Sequence, residues 1–200
     1  NVTVGGGRVI LESNLAMNGT GGLALTGGTL QIGNNTATGN INGGLAFNLN
    51  STATLEFKRS DNVTYSGVYT GIGSLVQAGT NNLTLSGLST YTGTTLVSSG
   101  TLTLASGATM SAGALTVAAG ASLVLNSSAM TSTLTGSGAI AIGTGAVFTL
   151  NTTSGSPQFL GTFSGAGSLV KSGGGEVLFA GDNSGLTGAI TVNGGMISVQ

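Results

Sequence analysis

The sequence predicts an all-β solenoid, a parallel β-helix whose turns are about 20 residues long, and three observations carry that prediction. Apolar residues alternate with small polar ones over runs of four or five, the period-2 pattern of strands buried on one face. Most runs close on glycine, and 38 of the 200 residues are glycine against a single proline. The alternating pairs return at a steady spacing: from Leu83/Leu85 to Leu102/Leu104 is 19 residues, and on to Leu123/Leu125 is 21. No window carries the i, i+3, i+4, i+7 apolar stripe of a helix. Turns stacked in register pair about 4.8 Å apart, so the chain should make about ten turns along an axis of about 50 Å.

Taken in order, the first strands fall at Val2/Val4, Val9-Ile10-Leu11, Leu23/Leu25 and Leu30/Ile32. Residues 34–50 are dense in Asn, Thr and Gly around Ile41, Leu45, Phe47 and Leu49; Asn and Gly tolerate the left-handed backbone that sharp corners need. LEFKRSD (55–61) interrupts a neutral chain with Glu56, Lys58, Arg59 and Asp61, and strand alternation puts Glu56 and Lys58 on one face and Arg59 on the other. Residues 71–104 are the most regular stretch, with Gly71, Gly73, Gly79, Gly87, Gly93 and Gly100 punctuating Leu75, Leu83, Leu85, Tyr91 and Leu102. Leu115/Val117, Leu123/Leu125, Ile140/Ile142 and Val147/Leu150 continue the rhythm. A second copy occupies 165–199, displaced by 94 residues at Gly73/Gly167 and 95 at Gly93/Gly188, with Leu169, Gly173 and Gly181 at matching places. The whole chain reads as one solenoid segment of a longer protein.

Charge is nearly absent: four basic and five acidic residues, net −1, with none at all from Asn62 to Val170. That leaves no basic patch to displace counterions from nucleic acid. The surface must instead be Thr, Ser, Asn and Gly, a composition expected outside the cell rather than in the cytosol, where charge keeps molecules apart. The longest apolar-leaning run, 113–125, is broken by Thr116, Gly120 and Ser122 and is too short to cross a bilayer, so direct membrane insertion of this segment is not expected.

GSLVQAGTNNLTLSGLSTYTGTTLVSSGTLTL resembles the passenger-associated transport repeat of bacterial autotransporters, with its GxGSLxKxG opening, LTLSG strand, TYTG corner and G-TL strand. Gly71, Gly73, Ser74, Leu75, Gly79, Leu83, Leu85, Gly87, Tyr91, Gly93, Gly100 and Leu102 carry the match. In the second copy Gly165, Gly167, Ser168, Leu169, Lys171, Gly173, Leu178 and Gly181 do, with Ser184-Gly185-Leu186 departing from the Thr90-Tyr91 corner. The resemblance implies a right-handed parallel β-helix of the kind that passengers acting as adhesins, aggregation factors and enzymes share. It also implies repeats that aid folding and secretion.

The inventory for chemistry is thin. With no histidine and no cysteine, Ser-His and Cys-His nucleophile pairs and zinc sites are excluded within this chain. Glu56, Lys58, Arg59 and Asp61 form the one local charge cluster; a solvated ion-pair patch is its plainest reading and a carbohydrate or protein contact its functional one. Glu176 and Asp182 follow glycine runs but are too few carboxylates for calcium. Tyr65, Tyr69 and Tyr91 would stack on sugars if exposed, but at repeated corners they are expected to pack on the neighbouring turn. No catalytic residue, cofactor or metal is assigned. The expected role is a non-enzymatic surface or secreted stalk or adhesin that contacts a protein or glycan on a host or neighbouring cell. The alternatives are a filament subunit stacking end to end and, further off, a polysaccharide-acting enzyme.

Overall fold

The computed structural model describes residues 3–14, 23–41 and 45–200; Val2 lies outside them. All of its regular structure is β, and every strand pairing is parallel. A turn consists of three strands set on three faces. Tyr69–Gly71, Ser74–Gln77 and Asn82–Leu85 make one such turn, and each pairs with its counterpart about one period away.

The registers bear out the spacing seen in the sequence. Leu83 faces Leu102 and Leu102 faces Leu123, while Leu85, Leu104 and Leu125 run beside them. On another face Leu55 meets Leu75, Leu75 meets Thr95, and Thr95 meets Leu115. The longest ladder runs through ten strands, from Arg8–Leu11 to Ile190–Val192, and so spans nine turns rather than ten. At the parallel-strand spacing that is about 43 Å. Met110–Val117 and Ala129–Gly136 are long because each covers two faces: 129–131 pair with 148–150, whereas Gly136 pairs with Phe159.

Alternation decides the core. In Ala53–Arg59, residues 53, 55, 57 and 59 are buried and those between are half-exposed, and the same pattern recurs along most strands. The buried side chains form one continuous cluster from Val4 to Phe179. Two aromatic stacks thicken it. Phe47, Phe57, Tyr65, Tyr69 and Tyr91 sit together, with Phe47 and Tyr69 stacked 5.7 Å apart; Phe148, Phe159, Phe163 and Phe179 form the second group.

One step is irregular. Leu30 pairs with Leu55, 25 residues on, because the chain makes an excursion after Ile32 before pairing resumes at Thr36 and Arg59. This part of the molecule also holds most of the charge and the groove described below.

Candidate functional site

Each glycine singled out from the sequence is pressed against the turn before it. A Cβ on Gly71, Gly73, Gly79, Gly87, Gly93, Gly100, Gly167, Gly173 or Gly181 would meet a backbone carbonyl of the preceding turn: Leu49, Asn50, Arg59, Gly67, Gly73, Gly79, Gly143, Thr152 and Gly161 respectively. Gly71 is doubly required, since its φ of 94° lies in the left-handed region where side chains are strained. Leu75, Leu83, Leu85, Leu102, Leu169 and Tyr91 are all buried in the core. These residues therefore build the stack and expose no chemistry. Leu186 takes the place of Tyr91 in the second copy, and the corner survives the exchange: Thr92 N donates to Gly71 O and Thr187 N to Gly165 O, both 2.9 Å.

The Gln77/Lys171 position carries a role that alternation alone hides. Both side chains point inward at a strand end and are fully buried. Gln77 Nε2 donates to Gly79 O (3.1 Å), Asn81 O (3.2 Å) and Asn81 Oδ1 (3.0 Å). Lys171 Nζ lies among the carbonyls of Thr152 (3.2 Å), Ser172, Gly173 (2.9 Å) and Gly194 (3.3 Å). The long donor side chain ties these inward-turned corner carbonyls together, adding to the bonds that Asn81 O takes from Thr101 N and Thr152 O from Gly175 N. Burial pushes the Lys171 ammonium below its ordinary pKa.

The charge cluster divides. Glu56 points outward and pairs with Arg8 at 2.9 Å. Arg59 points inward, as alternation requires, and is buried rather than solvated as the patch was expected to be. Its Nε and Nη2 donate to the two oxygens of Asp61 (2.9 and 2.8 Å), Nη2 also to Ala37 O (2.6 Å), and Nη1 to Gly39 O. The hydrogen bonds from Arg59 hold the Asp61 carboxyl below the usual carboxylate range. Lys58 lies on the outward side and makes no ion pair among the described residues. Arg59 thus clamps the excursion after Ile32, and Glu56 and Asp61 are each paired with an arginine.

Other sequence candidates are committed elsewhere. Asp182 accepts from Ser184 N, which lowers its pKa; Glu176 accepts from Ser198 and Ser156 hydroxyls, with the same effect. Among the described residues no group of three or more His, Cys, Asp or Glu gathers to hold a metal, and no helix is long and apolar enough to cross a membrane. Tyr65, Tyr69 and Tyr91 are at most 1% exposed, so they offer no platform for sugars.

Part of the outside is in-register polar columns, set among apolar positions such as Val76, Leu96 and Val124. Thr64, Thr84 and Thr103 stack on one face; Thr54, Ser74 and Thr94 stack on another, where Thr94 Oγ1 donates to Ser74 Oγ at 2.8 Å. A groove of about 320 Å³ crosses three turns at the corner after Leu23–Leu25, Phe47–Leu49 and Tyr69–Gly71, lined by Thr26, Asn48, Asn50 and Ile72. Nothing in the sequence joined these four residues: Thr26, Asn50 and Ile72 stand 24 and 22 apart in one column, and Asn48 lies in the column beside it.

The passenger-associated-transport-repeat family matches residues 75–104, 98–125 and 169–199. The first and third matches lie within the two copies visible in the sequence; the second overlaps the first and is less conspicuous because 106–110 (SGATM) has no tyrosine corner. No curated protein and no solved structure matches the chain. With the matched segments lying in turns of one parallel stack, the chain is a β-solenoid that over 75–125 and 169–199 is similar to the passenger-associated-transport-repeat.

Proposed function

We propose that this solenoid serves without catalysis as a rigid stalk and adhesive surface of an autotransporter-type protein, displayed at or released from the cell surface. The observation that supports the reading best is the register of the outward columns, which align Thr64, Thr84 and Thr103 over three turns and Asn82, Thr101 and Ser122 over another three. Single hydroxyl contacts are weak in water. A regular column offers many of them at once, and their avidity replaces a single tight site. Partners on this reading are a protein or glycan of a host or neighbouring cell. The buried glycine and leucine framework suits a chain that must fold by stacking one turn on the next, so the repeats also aid folding during secretion.

The test is display of the full-length protein on cells that lack other adhesins. Removing residues 71–104 should lower the amount reaching the surface, and unchanged display overturns the secretion role. Cells displaying the intact solenoid should adhere better than cells displaying none. Equal adhesion overturns the adhesive role.

A second reading is a filament built by end-to-end stacking. Ile190 and Val192 pair above Leu169 and Lys171 and are 55% and 50% exposed. A further turn of the same chain, or the first turn of another copy, would cover this surface. Electron microscopy separates the two: fibres with an axial repeat near one chain length favour stacking, isolated rods the stalk.

A further inference from the structure

We propose that the groove at the corner crossing Ala24–Thr26, Asn48–Asn50 and Gly71–Ile72 is a binding site for a neutral saccharide. The inference rests on the adhesive reading above and gives it a location and a ligand class.

The groove arises from the irregular part of the stack. Thr26 N donates to Val4 O, Asn50 N to Leu25 O and Ile72 N to Leu49 O, so Thr26, Asn50 and Ile72 form one corner column and Ala24, Asn48 and Thr70 the column beside it. Gly71 is part of the construction. A Cβ there would meet Asn48 Oδ1 as well as Leu49 O, so glycine leaves the room in which the Asn48 carboxamide lies. Three turns span about 10 Å along the axis, the reach of a disaccharide.

The lining is chemically specific. Asn48 is exposed and lines the groove, and its carboxamide has no hydrogen-bond partner among the described residues, so its donor and its acceptor are both free for a ligand. Asn50 Oδ1 accepts from Ser51 N (2.8 Å), which fixes the amide and leaves its NH2 free to donate. Thr26 Oγ1 donates to Val4 O (3.2 Å) and keeps its lone pairs as acceptors. Vicinal sugar hydroxyls need this combination, a donor and an acceptor side by side at fixed spacing.

The apolar wall is Ile72, 57% exposed. At three other places a G-x-G has its first glycine at positive φ, and there the middle residue is Ser137, Ala166 or Gly174. A large aliphatic side chain left in water beside amides suits the C–H face of a pyranose ring. The lining contains no charged residue, which favours a neutral sugar over a sialylated or sulfated one and over phosphate. The volume lies at the small end of ligand sites, enough for one or two sugar rings.

The experiment uses the intact chain with glucose, galactose, N-acetylglucosamine, lactose and N-acetyllactosamine as probes, and sialyllactose as the charged comparison. Binding is read by saturation-transfer NMR and by shifts of the side-chain amide signals. At least one neutral probe should bind with millimolar affinity and shift the Asn48 and Asn50 NH2 signals. Asn48→Ala and Asn50→Ala should each weaken it at least tenfold, while Thr84→Ala, on another face, should leave it unchanged. Circular dichroism checks that the variants remain folded, and Ile72→Ser, which restores the residue of a sister corner, should also weaken binding. No neutral probe bound, tighter binding of sialyllactose, or binding unaffected by the two asparagine variants overturns the site. Cell adhesion that persists when no sugar binds overturns the site alone and leaves the stalk reading standing. Sugar binding without adhesion does the reverse.

Discussion

Tyr69 and Lys171 show what it costs to put polar groups inside a stack of turns. Tyr69 Oη is buried with no hydrogen-bond partner, whereas Tyr65 donates to Leu45 O and Tyr91 bonds Thr95. An unpaired buried hydroxyl is worth about 1–3 kcal/mol of destabilisation, so Tyr69→Phe should stabilise the fold by about 1 kcal/mol in urea melts. Burial raises the pKa of all three phenols, with Tyr91 pushed up to about 12. Unfolded tyrosine ionises near pH 10, so this contribution is complete below about pH 10 and is lost as pH climbs toward the folded values. The protein should unfold in alkali, with absorbance at 295 nm rising together with the loss of circular dichroism. Lys171 acts in the opposite sense: its folded pKa is lowered, the unfolded chain holds more protons between that value and the ordinary one, and stability should rise with pH across that window. Lys171→Gln copies Gln77; the variant should stay within about 1 kcal/mol of the parent and lose this rise.

Strand and corner depend on each other at the next scale. Gly93 sits over Gly73 O and Gly188 over Gly167 O, one above the other's counterpart in the two copies. Gly93→Ala should cost about 3 kcal/mol through overpacking against backbone that cannot retreat, measured as a lower urea midpoint with an unchanged slope. The strands were legible in the sequence because Leu83, Leu102 and Leu123 carry both the period-2 and the turn-length signal. Alternation set Arg59 on the face opposite Glu56 and Lys58, but its charge argued for solvent and hid that this face is the buried one. Its acceptors were not legible either: Ala37 and Gly39 come from a corner some 20 residues upstream, and only folding brings those carbonyls to the guanidinium. The groove was hidden for the same reason. Asn48, Asn50 and Ile72 are unremarkable one at a time and meet only through register.

For the whole molecule, turns bond mainly with the turns beside them, so stability accumulates as a sum over neighbours. From Asn62 to Val170 none of those interactions is ionic. Stability should therefore change by less than about 1 kcal/mol between low and 1 M salt, since screening acts on exposed charge and little is present. Excising residues 102–122 rejoins Thr101 to Leu123 at a matched register position, and a folded rod one turn shorter should result; removing half as many residues should abolish folding. The 25-residue step from Leu30 to Leu55 shows where odd lengths are tolerated, at a bulge between Ile32 and Thr36 beside a corner held by an arginine. For the gene this sets a unit of inheritance. Its coding region can lengthen or shorten freely only in blocks of about sixty nucleotides, and smaller insertions survive where they bulge outward, which is also where new recognition can begin.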